Sequence, residues 1–333
     1  MRLSVVIPAF NSARHIRRGL DAVMALDAGG HALEVVVVED GSTDGTADLV
    51  RAYPVQLIRQ ANAGPAGARN TGWRHSTGEI IFFTDSDCVP PADWLRNLLP
   101  GFDDPRTGAV AGSYAIANPG SRLARLIQAE IAGRHRRMPP FVKAGGTYNL
   151  AVRRNLLERL GGFDESFPTA SGEDNDISYR IRKAGFQIAF LRGCRVFHHH
   201  PERLGKYLKT QFVHGYWRFR LYRKHPEYVS GDDYTRAGDV AETLLAGLVP
   251  AGLGVSLGVP AWMGLPVLAP LGALMALEAV RAFRIACPVR DWVLWPTGTF
   301  VFLVRSFCRV AGLAWGAVRS AAGHSGRRSN VRR

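Results

Sequence analysis

Apolar residues in the first part of the chain come in short blocks, each stopped by a polar or glycine-rich cluster. Residues 3–7 (LSVVI) end at Pro8, and 34–38 (EVVVV) end at Glu39-Asp40-Gly41-Ser42. Near-continuous runs of this length predict strands buried on both faces. Residues 55–58 and 79–84 (EIIFFT) repeat the pattern. Helical segments are predicted between them, one running to about Met24 with Asn11 or Ser12 as its cap, another over 66–75. Strands alternating with helices predict an α/β fold with a parallel sheet covered on both faces. Such sheets bind ligands at the carboxyl ends of their strands, where the polar clusters after Ile7, Val38 and Phe83 fall. From 93 to 208 the pattern is mixed, with glycine turns and no repeat.

The pattern changes after Asp239. No side chain from 243 to 277 carries charge, although prolines 250, 260, 266 and 270 interrupt the run. One membrane span needs about 20 apolar residues. The run predicts a helical hairpin over about 243–280, with spans near 243–259 and 261–280, a buried helical subdomain being the alternative. A second apolar segment covers 292–318, its first part to 304 re-entrant or interfacial. There Arg305 and Arg309 stand four apart, as on a helix lying among lipid headgroups. Residues 321–333 form a basic tail, expected to be disordered.

Composition sharpens this picture. The net charge is +14 and the pI about 10.2, which calls for an anionic partner: nucleic acid, nucleotide phosphates or an acidic membrane surface. Aromatic and basic residues interleave from Lys206 to Arg223. That composition suits single-stranded nucleic acid, but beside apolar segments it predicts an interfacial helix gripping headgroups, with a plain packed helix as the alternative. Cys88, Cys194, Cys287 and Cys308 share no metal-type spacing, so neither a zinc site nor a disulfide framework is expected. Reduced thiols fit a cytoplasmic face. The first residues enter a strand pattern with no secretory features, and the basic flanks of the apolar segments place the globular part on the cytoplasmic side.

Three acidic pairs are candidates for chemistry. Asp85-Ser86-Asp87 closes the strand IIFF, and alternate residues of an extended segment point the same way. Hard oxygen donors suit Mg2+ or Mn2+, though polar turns after strands are also common. Glu39-Asp40 offers acceptors for base imino or ribose hydroxyl groups, with Gly41 and Ser42 allowing a close turn; Asp40 or Ser42 also suits a helix N-cap. Glu173-Asp174 precedes an amphipathic helix expected from about Asn175, where acidic residues also stabilise the helix dipole.

In order along residues 1–200 stand VVIPAFN, VVVVEDGSTDGT, QANAGPAGARNTGWRHSTGEIIFFTDSD, GGTYNLAVRR, GGFDESF, GEDNDISYRIRKAGF and VFHH. Together they resemble the inverting family 2 glycosyltransferases of GT-A fold, of the non-processive type with C-terminal membrane segments. The resemblance implies a Rossmann-like mixed sheet flanked by helices, plus a helical membrane-associated region. It implies transfer of a sugar from a nucleoside diphosphate sugar, UDP foremost, to an acceptor hydroxyl on a saccharide or lipid-linked saccharide of the cell envelope. Charge builds on the leaving diphosphate, so a divalent cation, Mn2+ or Mg2+, is implied, with a separate base for the acceptor.

Carried over residue by residue, Pro8, Ala9 and Phe10 border the base pocket, and Glu39 and Asp40 contact base and ribose. Arg69 and Asn70 lie near the nucleotide. Asp85 is close to ribose and metal, and Asp87 is the most direct metal ligand. Residues 146–149, ending in Asn149, line a sugar. Asp174 resembles the catalytic base with Glu173 supporting it, and His198 closes over the pyrophosphate or metal. Three consecutive histidines cannot all face one ion, so one of His198, His199 and His200 is expected to act.

Two departures matter. The family often has Asp-Asp where this chain has Glu39-Asp40, which bears on donor choice. Processive members carry Gln-x-x-Arg-Trp, which residues 211–217 (QFVHGYW) do not match, so single sugar addition is expected. The implied domains are a catalytic domain over 1–225, a helical membrane-associating region over 226–320 and the tail 321–333. The apolar segments imply a membrane partner, and only weak nonspecific nucleic-acid binding is expected. A GT-A-like nucleotidyltransferase and, of other classes, an inactive nucleotide-sugar-binding scaffold and nucleic-acid binding driven by the basic charge are the alternatives. An intact Asp85, Asp87 and Asp174 set argues against the scaffold, and the poor phosphate loop PAFNSARH against the nucleotidyltransferase.

Overall fold

The computed structural model describes residues 1–256 and 265–322. They fall into two compact units, one of Met1–Asn118 with Arg134–His200, the other of Pro119–Gly133 with the chain from Pro201 onward.

The first unit is built on eight strands: β1 (Arg2–Ala9), β2 (Ala32–Glu39), β3 (Gln56–Arg59), β4 (Ile80–Phe83), β5 (Cys88–Val89), β6 (Thr107–Ile116), β7 (Leu150–Arg153) and β8 (Gln187–His198). They form one sheet in the order β3-β2-β1-β4-β7-β6-β8-β5. The first four strands are parallel, and β7 runs antiparallel between β4 and β6. At the far side β6 and β8 are parallel and β5 is antiparallel to β8. The sheet is therefore mixed, the GT-A-like arrangement with flanking helices. Purely parallel pairing holds only for β1, β2 and β3.

The helices of this unit are α1 (Ile16–Met24), α2 (Thr46–Arg51), α3 (Gly64–His75) and α4 (Trp94–Leu98). After α5 (Arg122–His135), most of which belongs to the second unit, come α6 (Arg154–Leu160) and α7 (Glu173–Lys183). Every second residue of β1 packs against α1: Leu3, Val5 and Ile7 join Ile16, Leu20 and Val23 in one buried cluster. The opposite face takes α3, where Gly72 is required, since a Cβ there would overlap Val6 and crowd Val38.

Neither Asn11 nor Ser12 caps α1 through its side chain, contrary to the sequence pattern. The Asn11 side-chain Oδ1 accepts the Thr43 backbone N–H at 2.9 Å, and the Ser12 hydroxyl lies 2.7 Å from that of Ser86. The loop after β1 is tied to the loops after β2 and β4 instead of to its own helix.

The second unit is helical: the first turns of α5, then α8 (Leu204–Lys224), α9 (Ala237–Ser256), α10 (Leu265–Val289) and α11 (Leu294–Ala321). Close approach of α8 and α11 depends on glycine. A Cβ on Gly215 would overlap the Arg309 carbonyl, and one on Gly312 the Phe212 carbonyl. The aromatic-basic stretch is thus a packed helix, with Tyr207, Gln211, Trp217 and Leu221 buried. Residues 294–318 belong to one continuous helix, not to a re-entrant piece followed by an interfacial one. Two helices, Pro266–Val289 and Leu294–Ala321, are long and apolar enough to cross a membrane. The expected hairpin turn, around 260, and nearly all of the basic tail lie outside the described residues.

Arg305 corrects the expectation for α11. It is 0% exposed and bonded to Glu130 and Glu242, so it does not reach headgroups. A guanidinium inside a bundle needs carboxylates, and these helices supply them.

Candidate active site

Pro8 and Ala9 end β1, and Phe10 projects from the loop beyond, 50% exposed. Glu39 ends the neighbouring strand β2 and is buried. Burial pushes its carboxyl up, but the Ser42 backbone N–H and hydroxyl and the Arg59 guanidinium outweigh this and hold it below the usual range. Asp40 accepts hydrogen bonds from Gln60 Nε2 (2.7 Å) and from the backbone N–H of Ala63 (2.8 Å) and Gly64 (2.9 Å). It therefore sits at the start of α3, not of α2, where neither it nor Ser42 serves as the cap. Burial, with Glu39 beside it, leaves its pKa raised. An ionised carboxylate offers about four acceptor positions, so Asp40 keeps little capacity beyond these three bonds.

Arg69 stands at the centre. It projects from α3, is buried, and donates to Asp85 Oδ1 at 2.8 Å and to Glu173 Oε1 at 2.9 Å. Burial opposes its charge, but Asp85 and Glu173 prevail and its pKa is raised. Glu173 is reached because the chain turns at Gly172, whose φ of 97° suits glycine, and enters α7 at Glu173, two residues earlier than expected. Glu173 and Asp174 thus share the first turn. Burial and the neighbouring Asp174 push the Glu173 carboxyl up to about 7 against the pull of Arg69. Its second oxygen, Oε2, is buried with no hydrogen-bond partner. One ionic chain, Asp85–Arg69–Glu173, joins the strand end to the turn that carries Asp174.

Asp87 lies on the other side of Ser86. Its Oδ1 is 3.5 Å from His198 Nε2, where β8 pairs with β5. Among the described residues, Asp87, Cys88 and His198 place ligand-type atoms within 4.8 Å of one another. Cys88 is buried, and burial, Asp87 and Asp85 raise its thiol well above the ordinary value. A neutral thiol is a poor ligand for a hard cation, whereas carboxylate oxygen and imidazole nitrogen suit Mn2+ and the carboxylates suit Mg2+. Asp87 and His198 therefore fit the implied metal, with Asp85 two residues before Asp87 and bonded to Arg69. The three histidines separate: His198 meets Asp87, His199 stacks near His15 at 4.3 Å, and His200 lies buried behind His198.

Two expected nucleotide neighbours are occupied elsewhere. The Asn70 amide donates to the Phe163 carbonyl and Glu165, and accepts from the Phe163 N–H and Trp73 Nε1. Asn149 is 0% exposed; it donates to the carbonyls of Ser113 and Cys194 and accepts from Trp94 Nε1. Both side chains hold loops and strands in place. The sequence pattern missed Tyr114 of β6, which stacks on Tyr148 at 3.4 Å and lies 4.8 Å from His198. No local signal marks it, since it is one position in a ten-residue strand.

Residues 4–161 match the family model described as Glycosyl transferase family 2. The chain is 31% identical over 221 residues to glycosyltransferase AglE of Haloferax volcanii, covering 63% of this chain and 70% of that protein. It is 30% identical over 237 residues to the pre-mycofactocin glycosyltransferase of Mycobacterium tuberculosis, covering 68% of this chain and 48% of that one. It thus spans only about half the length of the second relative. The fold is similar to that of the mannosyltransferase PcManGT from Pyrobaculum calidifontis, solved in complex with GDP-Man and Mn2+. There the TM-score is 0.61 at 24% identity, over 95% of this chain and 86% of the other. Motif order, sheet arrangement and the extent of the match to AglE agree: this chain belongs to glycosyl transferase family 2.

Proposed function

We propose that the protein moves one sugar from a nucleoside diphosphate sugar, UDP foremost, to an acceptor hydroxyl with inversion at the anomeric carbon. The observation that carries this reading is the Asp85–Arg69–Glu173 chain. It ties the Asp-x-Asp turn to the helix start that bears Asp174. In the proposed reaction the Asp174 carboxylate takes the proton of the acceptor hydroxyl. The acceptor oxygen attacks the anomeric carbon from the face opposite the diphosphate. The bond from that carbon to the phosphate oxygen breaks, and its electron pair leaves with the nucleoside diphosphate. Glu173 is the better-placed carboxyl to keep a proton, because burial disfavours its charge. Asp174, beside it in the first turn of α7, takes the base role in this reading.

Asp87 and His198, with Asp85, would hold Mn2+ or Mg2+, which neutralises charge on the leaving diphosphate. Arg69 holds Asp85 in place. Pro8, Ala9 and Phe10 border the base, and Glu39 and Asp40 face base and ribose. The acceptor is a saccharide, lipid-linked or otherwise part of the cell envelope, met at the cytoplasmic face of a membrane. Catalysis belongs to residues 1–225 and membrane association to 226–320, a reading supported by the two long apolar helices.

The test is a panel of UDP, GDP and dTDP sugars offered to the detergent-solubilised protein with Mn2+ or Mg2+. One donor should release its nucleoside diphosphate slowly, and Asp87→Ala should abolish the release. Asp174→Asn should lower transfer by about 10²–10⁴-fold. Silence across the panel, without a nucleotide-induced thermal shift, would replace this reading with that of a binding scaffold.

A further inference from the structure

His200 is a buried histidine that the reaction above does not use. It stands two residues beyond His198, just past the end of β8, and is 2% exposed. Its Nδ1 lies 3.1 Å from His198 Nδ1. Asn118 clamps its main chain: Asn118 Oδ1 accepts the His200 N–H at 3.0 Å, and Asn118 Nδ2 donates to the His200 carbonyl at 2.9 Å. Tyr114 packs against both imidazoles, its ring 4.8 Å from that of His198 and 5.9 Å from that of His200. The main chain of His198 is held as firmly. It pairs with Cys88 of β5 and with Ile116 of β6, and its carbonyl accepts the Ala117 N–H at 3.0 Å. What stays open at His198 is the side chain: which way the ring turns, and which nitrogen carries the proton.

Those two choices decide whether His198 can hold a cation. Between neutral imidazoles at this distance, one Nδ1 donates and the other accepts. If His200 donates, the proton of His198 sits on Nε2 and leaves no lone pair facing Asp87. If His198 donates, its Nε2 keeps the lone pair. The 3.5 Å from Nε2 to Asp87 Oδ1 is too long for a good N–H···O hydrogen bond, so Asp87 does not draw the proton to Nε2. A charged His200 would set its own N–H against the His198 proton, and burial disfavours that charge. Metal-bound histidines commonly hand their second N–H to an acceptor, which fixes tautomer and ring direction together. Here the acceptor on offer is a second imidazole, itself fixed by Asn118 and Tyr114.

We propose that His200 is the positioning residue of the cation site: its Nδ1 accepts the His198 Nδ1–H and so holds the Nε2 lone pair of His198 towards Asp87. This role rests on the reading above, in which Asp87 and His198 hold Mn2+ or Mg2+. His200 touches neither cation nor substrate and acts only through His198. The run of three histidines then contains one ligand and the residue that aims it.

The experiment titrates Mn2+ alone into the full chain in detergent and follows free Mn2+ by electron paramagnetic resonance, with no donor and no turnover. His200→Phe keeps a ring but offers no acceptor, and should weaken Mn2+ binding about 10–100-fold. His200→Asn, whose Oδ1 falls near the place of Nδ1, should bind almost as the parent does. In a His198→Ala background, His200→Phe should have no further effect on Mn2+ affinity, because the two residues act as one unit. A lowered Tm with unchanged Mn2+ affinity in His200→Phe would overturn the proposal in favour of a packing role. An equal loss of affinity with and without His198 would overturn it too. If the phenylalanine variant does not fold, His200→Asn and His200→Gln decide. Glutamine carries its oxygen one bond farther out and should lose the affinity that asparagine keeps; equal affinities would overturn the assignment. A parent chain that binds no Mn2+ would remove the cation site and the role of His200 with it. Release of a nucleoside diphosphate by that same chain would still support sugar transfer, so the two failures are distinguishable.

Discussion

Arg69 is buried between the carboxyl groups of Asp85 and Glu173, so its removal leaves both without their guanidinium donor. Breaking such a pair costs about 3–5 kcal/mol. Arg69→Met should therefore lower unfolding free energy by that order in denaturant titrations. Glu173→Gln should cost much less, because burial already favours the uncharged form of that side chain. Equal losses in the two variants would contradict the arrangement. Asn70 offers a second test. Its amide makes four bonds within the protein, and each buried group left unsatisfied costs about 1–3 kcal/mol. Asn70→Ala should lower Tm and leave the donor KM of the folded fraction unchanged. A raised KM at unchanged Tm would restore Asn70 to the nucleotide. Local sequence marked both residues as candidates, but could not say that one would bridge two carboxylates and the other would pin a loop ninety residues away.

At the scale of elements, glycines decide which helices can touch. Gly72 lets α3 lie on β1 and β2, and Gly312 lets α11 lie on α8. In Gly72→Ala the new methyl meets the end of the Val6 side chain, and overpacking of this kind costs about 1–3 kcal/mol. In Gly312→Ala it meets the Phe212 carbonyl, which cannot rotate away. Thermal melts followed by circular dichroism should show a loss of helical stability in Gly312→Ala. An unchanged melt would mean that α8 and α11 are not so close. The strands β1, β2 and β4 were legible because burial on both faces demands continuous apolar runs. The antiparallel entry of β7 was not, since four residues, Leu150–Arg153, carry no mark of the direction in which they pair. The continuity of α11 was missed for a related reason. Arg305 and Arg309 look like a break in an apolar helix until their buried partners are known.

For the molecule as a whole, acid stability is where one buried side chain becomes visible. His135 is 4% exposed. Burial, then Arg134 and Arg192, lowers its pKa from 6.5 to about 4. The unfolded chain therefore binds a proton that the folded chain refuses between these values. The stabilisation is full above 6.5 and is lost as pH falls towards 4, by about 3 kcal/mol at most. Glu173 acts oppositely: with a folded value near 7 against 4.5, it favours the folded state more as pH falls through that window. Comparing the parent with His135→Phe separates the two. Denaturant titrations at pH 7, 5.5 and 4 should show a shallower loss in the variant, and parallel curves would exclude the role of His135.

Composition and order of motifs were enough to settle the α/β class, the family and the acidic pairs at the strand ends. Those features depend on local patterning and on residue types that chemistry makes hard to replace. They were also enough to show a basic chain with a long uncharged stretch. Only the tertiary structure decided where the charges go. Ion pairing within a few ångströms joins residues far apart in the chain, as Arg69 joins Glu173 and Arg305 joins Glu130. Burial then alters what each group contributes. An arginine counted towards net charge in the sequence becomes, inside the helical unit, one member of an ion-pair network, as Arg305 does at 0% exposure.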